Sequence, residues 1–193
     1  MSITCTDLIK EFGKPAVRII HGIDLSINDG DFIAISGRSG SGKSTLLYLL
    51  STLDQPTSGT LVIDNKDTTT FSVEELHNFR NTEVGFVFQF HYLLPELTAL
   101  ENVLLPARKT RQHEEKSEFA KTLFEEFEIP DKWHKFPSQL SGGEQQRVAI
   151  IRALIMQPKY LFADEPTGNL DSQNADNVMN LLKKINRERN TTL

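Results

Sequence analysis

The sequence predicts an α/β fold. Short apolar runs that read as buried strands alternate with longer stretches of helical periodicity, glycine and proline turns separate them, and a glycine-rich loop joins one strand to one helix. Strands that alternate with helices in this way favour a largely parallel sheet. Residues 23–27 alternate apolar and polar side chains before the turn Asn28-Asp29-Gly30, and residues 32–35 (Phe-Ile-Ala-Ile) predict a second, buried strand. Leu46, Leu47, Leu49, Leu50 and Leu53 then recur at helical spacing, with a stop near Gln55-Pro56. Leu61-Val62-Ile63 is a further short strand. Ser72 followed by Glu75 has the form of a helix capping box, with Phe71 and Leu76 placed as its hydrophobic staple.

Residues 84–88 predict another buried strand. From Phe90 to Pro137 the chain becomes rich in Glu, Lys, Leu and Phe with helical periodicity and no convincing strand, so this stretch is expected to be a helical insertion. Within it Thr98 and Glu101 make a second capping box, and residues 114–127 form an amphipathic helix with Phe119, Leu123, Phe124 and Phe127 on one side. A helix to about Met156 follows Leu140-Ser141-Gly142-Gly143. Residues 160–163 (Tyr-Leu-Phe-Ala) form a strand, and a last helix over about 172–189 carries Val178, Leu181, Leu182 and Ile185 on one face.

The chain has 193 residues, 38% hydrophobic and 24% charged, which is enough apolar material for one domain with a real core. A formal net charge of −5 offers no broad basic face for a nucleic-acid backbone. Cys5 is the sole cysteine, so no intrachain disulfide can form and a reducing compartment fits. The first residues meet charge at Asp7, Lys10 and Glu11, too early for a signal-peptide core. The longest apolar stretches fall far short of the ~18 residues a bilayer span needs, so any membrane contact is expected through a partner.

The sharpest chemical signal is Gly37-Arg38-Ser39-Gly40-Ser41-Gly42-Lys43-Ser44-Thr45, a P-loop pattern lying between an expected strand and an expected helix. Its glycines let the backbone wrap a polyphosphate, its amides and the helix dipole face the anion, and Lys43 adds a full charge at the β and γ phosphates. The Ser44 hydroxyl suits Mg²⁺, so the expected ligand is a nucleoside triphosphate with magnesium. Asp164 and Glu165 stand at the end of the 160–163 strand, where a doubly wound sheet collects its ligands. Asp164 is expected to support magnesium through water, and Glu165 to orient or deprotonate the attacking water.

Leu140-Ser141-Gly142-Gly143-Glu144 is a third element. Ser141 and Glu144 make an ordinary capping box, yet Gly142 and Gly143 each cost a helix ~0.8–1.0 kcal/mol, which makes sense where bare amides must approach an anion. The chain therefore carries what looks like a second phosphate-binding element.

Together these motifs resemble the nucleotide-binding subunits of ATP-binding cassette (ABC) transporters, over essentially the whole chain. The resemblance implies that Gly37 to Thr45 is Walker A, that Asp164 and Glu165 end Walker B, and that Leu140 to Glu144 is the signature motif. It makes Gln89 the Q-loop glutamine that touches magnesium, Asp171 the D-loop aspartate, and Phe12 the aromatic that stacks on adenine. It implies an α/β P-loop core over residues 1–89 and 158–193, with an N-terminal antiparallel β portion, and a helical subdomain over 90–157. It also implies a homodimer in which each ATP lies between the P-loop of one subunit and the signature of the other.

Within the family, the stretches after Gln89 and around Asp164 to Asp171 look most like the lipoprotein-releasing ATPases, with macrolide and peptide exporter ATPases and the cell-division ATPase as near neighbours. Residues from about 90 to 108 would meet an integral membrane permease, with the ATPase peripheral on the cytoplasmic face of the inner membrane. His91 is expected to be a contact or packing residue rather than a catalytic one. Family members follow the last helix with a strand ending in a switch histidine. The sequence stops at Thr191-Thr192-Leu193, where that strand should begin, and reads as incomplete there, so binding is a safer expectation than hydrolysis and an ATP-gated clamp is the alternative. A P-loop GTPase is disfavoured, because Asn65-Lys66-Asp67 comes near the guanine-reading Asn-Lys-x-Asp motif but a threonine follows where its final aspartate would stand.

Overall fold

The computed structural model describes residues 2–193. Two N-terminal strands, β1 (Ile3–Phe12) and β2 (Val17–Ile27), pair antiparallel; β3 (Ser58–Ile63) adds antiparallel to the other edge of β1, and the two-residue β4 (Lys66–Asp67) pairs with β3. The second sheet is parallel: β5 (Val84–Val87) pairs with β6 (Tyr160–Ala163), with Val84 opposite Tyr160 and Val87 opposite Ala163. The Asp164 amide donates to the Val87 carbonyl, so the ladder runs one residue past β6 and fixes where the two acidic residues emerge.

Helix α1 (Lys43–Leu50) packs Leu46, Leu49 and Leu50 against the N-terminal strands, in a core that also takes Tyr160 and Phe162 from β6. Leu161 points the other way. It joins a second core built from α5 (Glu115–Glu126), α6 (Gly142–Leu154) and α7 (Ser172–Arg189), where Phe124, Phe127, Ile150, Ile151, Val178 and Leu182 are fully buried. The strict alternation of a strand thus places β6 between two apolar cores. Between β5 and α6 no strand is assigned, and the chain runs through α3 (Ala99–Val103), α4 (Leu105–Lys109), α5 and two 3₁₀ turns.

All three expected capping boxes form. Ser72 opens α2 (Val73–Thr82), Thr98 opens α3 and Ser141 opens α6, each with reciprocal bonds to the glutamate three residues on.

Three expectations are corrected. Residues 32–35 are not a ladder strand: among the described residues their backbone bonding is limited to Ile33 N donating to the Leu193 carbonyl, beside the Leu193 amide donating to the adjoining Asp31 carbonyl. Beyond that contact an apolar cleft of about 270 Å³ separates them from β6, which leaves Ala34 and Ile35 with no neighbouring strand to bond. The first long helix ends at Leu50 rather than Leu53, because Thr52 turns left-handed at φ 60° and Leu53 is 40% exposed. The antiparallel portion is also larger than residues 23–27 suggested, since β2 starts at Val17 and the whole of β1 precedes it.

Candidate nucleotide site

The glycine loop opens directly into α1. Gly42 is the N-cap residue at φ 88°, and a Cβ there would sit 3.1 to 3.3 Å from Ile20 Cδ1, Ile19 Cγ2 and the Ile19 carbonyl, so only glycine fits both the turn and the space. With no side chain capping it, the first turn of α1 leaves its amides free to face an anion. Lys43 folds back over the loop, its Nζ donating to the carbonyls of Gly37 and Arg38 at 3.1 Å each. These are bonds that a polyphosphate can replace with stronger ones to an anionic acceptor.

The acidic pair meets this loop from β6. Ser44 Oγ donates to Asp164 Oδ1 at 3.0 Å across 120 residues of sequence, and Tyr48 Oη lies 3.4 Å from Asp164 Oδ2. Burial, and then the nearby Asp164 carboxylate, push the Tyr48 hydroxyl above its ordinary range. Glu165 follows with φ 47°, in the left-handed region that side chains rarely enter. Its Oε2 accepts from Gln89 Nε2 at 3.2 Å. Asn169 Nδ2 in turn donates to the Gln89 carbonyl at 3.0 Å. Lys43, Ser44, Gln89, Asp164 and Glu165 therefore lie around one edge of the parallel sheet. A serine hydroxyl and a carboxylate on adjoining elements form the oxygen donor set that suits a hard divalent cation, one that keeps most of its water and takes only one or two protein oxygens.

The remaining expected site residues lie apart from this group. Ser141 and Glu144 line a polar hollow with Lys132, Arg147 and Asn174, whereas Lys43, Asp164 and Glu165 border the apolar cleft beside residues 32–35. Glu144 pairs with Lys132 at 3.0 Å. Partial burial would raise its pKa, but the Ser141 bonds and the Lys132 charge hold it below the usual carboxylate range. Gly142 has open space where a Cβ would stand, while a Cβ on Gly143 would come within 2.8 Å of Asn174 Oδ1. Asp171 caps α7: its Oδ1 accepts from the Asn174 amide at 3.0 Å and its Oδ2 from Asn174 Nδ2 at 2.7 Å. Phe12 ends β1 and is 46% exposed, with Lys10 Nζ 4.9 Å from its ring centre. His91 is half-buried, and burial lowers its pKa; its carbonyl and that of Tyr92 each accept from Arg152 at 2.6 Å.

Two residues of this edge escaped the sequence reading. Tyr48 stands one helical turn after Ser44, a spacing that puts both hydroxyls on one face of α1 and could have drawn notice. Asn169 gives no local signal, because its partner lies 80 residues away.

A glycine-rich loop that opens a helix, with a lysine folded back over it and an acidic strand end of a parallel sheet beside it, marks the P-loop class of nucleotide-binding proteins. Residues 20–168 match the ABC transporter family, and the chain belongs to it. It is 56% identical over 191 residues to the lipoprotein-releasing system ATP-binding protein LolD of Leptospira interrogans, covering 99% of this chain and 80% of that one. With the LolD of Aquifex aeolicus it shares 53% identity over 169 residues, 87% of this chain and 75% of the relative. Among solved structures, the ATP-binding cassette MJ0796, captured as a dimer in a post-hydrolysis state with ADP and Pi, superposes with a TM-score of 0.86 at 38% identity, covering 98% of this chain and 85% of that one. Among the described residues no helix is long and apolar enough to cross a membrane.

Proposed function

We propose that this chain is the ATP-binding and ATP-hydrolysing subunit of an ABC transporter that releases lipoproteins from the inner membrane. The observation that carries this reading is the meeting of the Lys43 loop, the Ser44–Asp164 pair and the Gln89–Glu165 pair at one sheet edge. In it, the amides of residues 37–45 and the Lys43 ammonium bind the β and γ phosphates, and Phe12 stacks on adenine. Ser44, Gln89 and Asp164 would hold the nucleotide's magnesium, Asp164 through water. That ion would supply positive charge against the phosphates. Glu165 orients the attacking water and accepts its proton as the water oxygen bonds to the γ phosphorus and the bond to ADP breaks.

Ser141, Gly142, Gly143 and Glu144 then serve the ATP of a second copy of the chain, with Asp171 at the same dimer boundary. This division of labour would account for Ser141 and Glu144 lining a hollow apart from Lys43, Asp164 and Glu165. Residues from about 90 to 108 meet the integral permease, since Phe90, Tyr92 and Leu94 are exposed large side chains there and Arg152 ties that loop to the signature helix. The subunit is peripheral on the cytoplasmic face and binds no nucleic acid. The test is ATP turnover by the purified chain at several concentrations, beside Lys43→Ala and Glu165→Gln. Turnover that rises with concentration and is lost in both variants supports the reading. Tight Lys43-dependent binding without turnover points to an ATP-gated clamp.

A further inference from the structure

The carboxylate assigned to magnesium is held at both oxygens by one helix. Ser44 and Tyr48 are four residues apart in α1, so their side chains project from the same face one turn from each other. Ser44 Oγ donates to Asp164 Oδ1 at 3.0 Å, and Tyr48 Oη lies 3.4 Å from Oδ2 with its proton free to donate. The two contacts differ in what can happen to them. A serine hydroxyl that ligates a divalent cation offers the metal its lone pair and must turn its proton elsewhere, so the Ser44 bond changes when the metal arrives. The tyrosine has no such second duty. Its ring is half-buried on α1 and packs 5.6 Å from the Phe86 ring on β5, whose own ring stacks 6.4 Å from Phe162, two residues before Asp164. An aromatic side chain has only two soft torsions, so a ring lodged in this way aims its hydroxyl at small entropic cost.

We propose that Tyr48 is a positioning residue for the metal-bearing carboxylate: it holds Asp164 Oδ2, so that the carboxylate would keep its orientation where Ser44 gives its own oxygen to the cation. This rests on the reading of Ser44 and Asp164 as the magnesium residues. Outer partners that orient a metal-holding group set metal affinity without touching the metal. Tyr48 therefore governs how much magnesium the site requires, and has no share in gripping the phosphates.

The experiment is equilibrium binding of a fluorescent ATP analogue to the full chain, first in EDTA and then as Mg²⁺ is titrated, for wild type, Tyr48→Phe and Ser44→Ala. Tyr48→Phe keeps the ring and its packing and removes only the hydroxyl. The expected result is unchanged analogue affinity in EDTA and a Mg²⁺ half-saturation raised roughly three- to tenfold, below the rise in Ser44→Ala. A Tyr48→Phe half-saturation equal to wild type while Ser44→Ala is raised overturns the proposal alone. Equal half-saturation in all three overturns the magnesium reading beneath it. Affinity lost to the same degree in EDTA and in Mg²⁺ makes Tyr48 a structural residue of α1 and also overturns the proposal.

Discussion

Glu165 occupies a backbone conformation that disfavours it. At φ 47° a residue with a Cβ meets its own carbonyl, a cost of roughly 1–2 kcal/mol, of which glycine's greater freedom in the unfolded chain would return about half. Replacing Glu165 by glycine should therefore raise unfolding stability by about 0.5–1 kcal/mol in denaturant titration while removing ATP turnover. A variant no more stable than wild type would show that the neighbouring bonds, Gly168 N to the Glu165 carbonyl and Gln89 to its carboxylate, already offset the strain. Strain of this kind fits the catalytic role proposed for Glu165. The sequence could name Lys43, Ser44, Asp164 and Glu165 because their motifs are local. It could not reveal that Glu165 is left-handed or that Asn169 braces the Gln89 backbone, since both depend on chain segments brought together only by folding.

Among the elements, the three capping boxes were legible because a cap is written within four residues, and each helix starts where its box stands. β1 was not legible for an opposite reason. Register shifts fall between Cys5 and Leu8, and Asp7 sits at φ 46° with its amide donating to Asp24 Oδ1 at 2.8 Å. A bulge of this kind breaks the period-two alternation on which strand reading relies. Residues 32–35 failed the other way: a convincing apolar run predicts burial, but ladder pairing needs a neighbour that the local sequence does not contain.

The caps also set an acid response. The carboxyls of Glu75 and Glu101 are held below their ordinary range by the backbone amides of Ser72 and Thr98, and Glu144 by its Ser141 and Lys132 partners against the opposing effect of burial. A depressed folded-state pKa means that the unfolded chain binds more protons, so this stability is present above the ordinary pKa of 4.5 and is lost as pH falls from there through the folded values. Stability measured between pH 6 and about 3 should fall less steeply in Glu144→Gln, which keeps the capping geometry and loses the charge. Ser141→Ala, by contrast, should cost about 1 kcal/mol even at neutral pH.

At the scale of the whole molecule, β6 organises the fold by burying Tyr160 and Phe162 in one core and Leu161 in the other, and it delivers Asp164 and Glu165 to the loop side of α1. The Ser141–Glu144 element opens α6, which belongs to the second core, and lines a different hollow. If the two elements act together, they act between copies. Gly142 supplies a clean probe, because a Cβ there meets nothing within 4 Å and an acidic side chain in the first turn of α6 suits the helix dipole, so Gly142→Asp should fold normally and yet repel a phosphate presented by a partner. The decisive measurement is ATP turnover in a mixture of Lys43→Ala and Gly142→Asp chains, each inactive alone. Mixed dimers contain one site with an intact P-loop and an intact signature, so an equal mixture should recover about a quarter of wild-type turnover. A mixture no more active than its two parts would contradict a site shared between two copies of the chain.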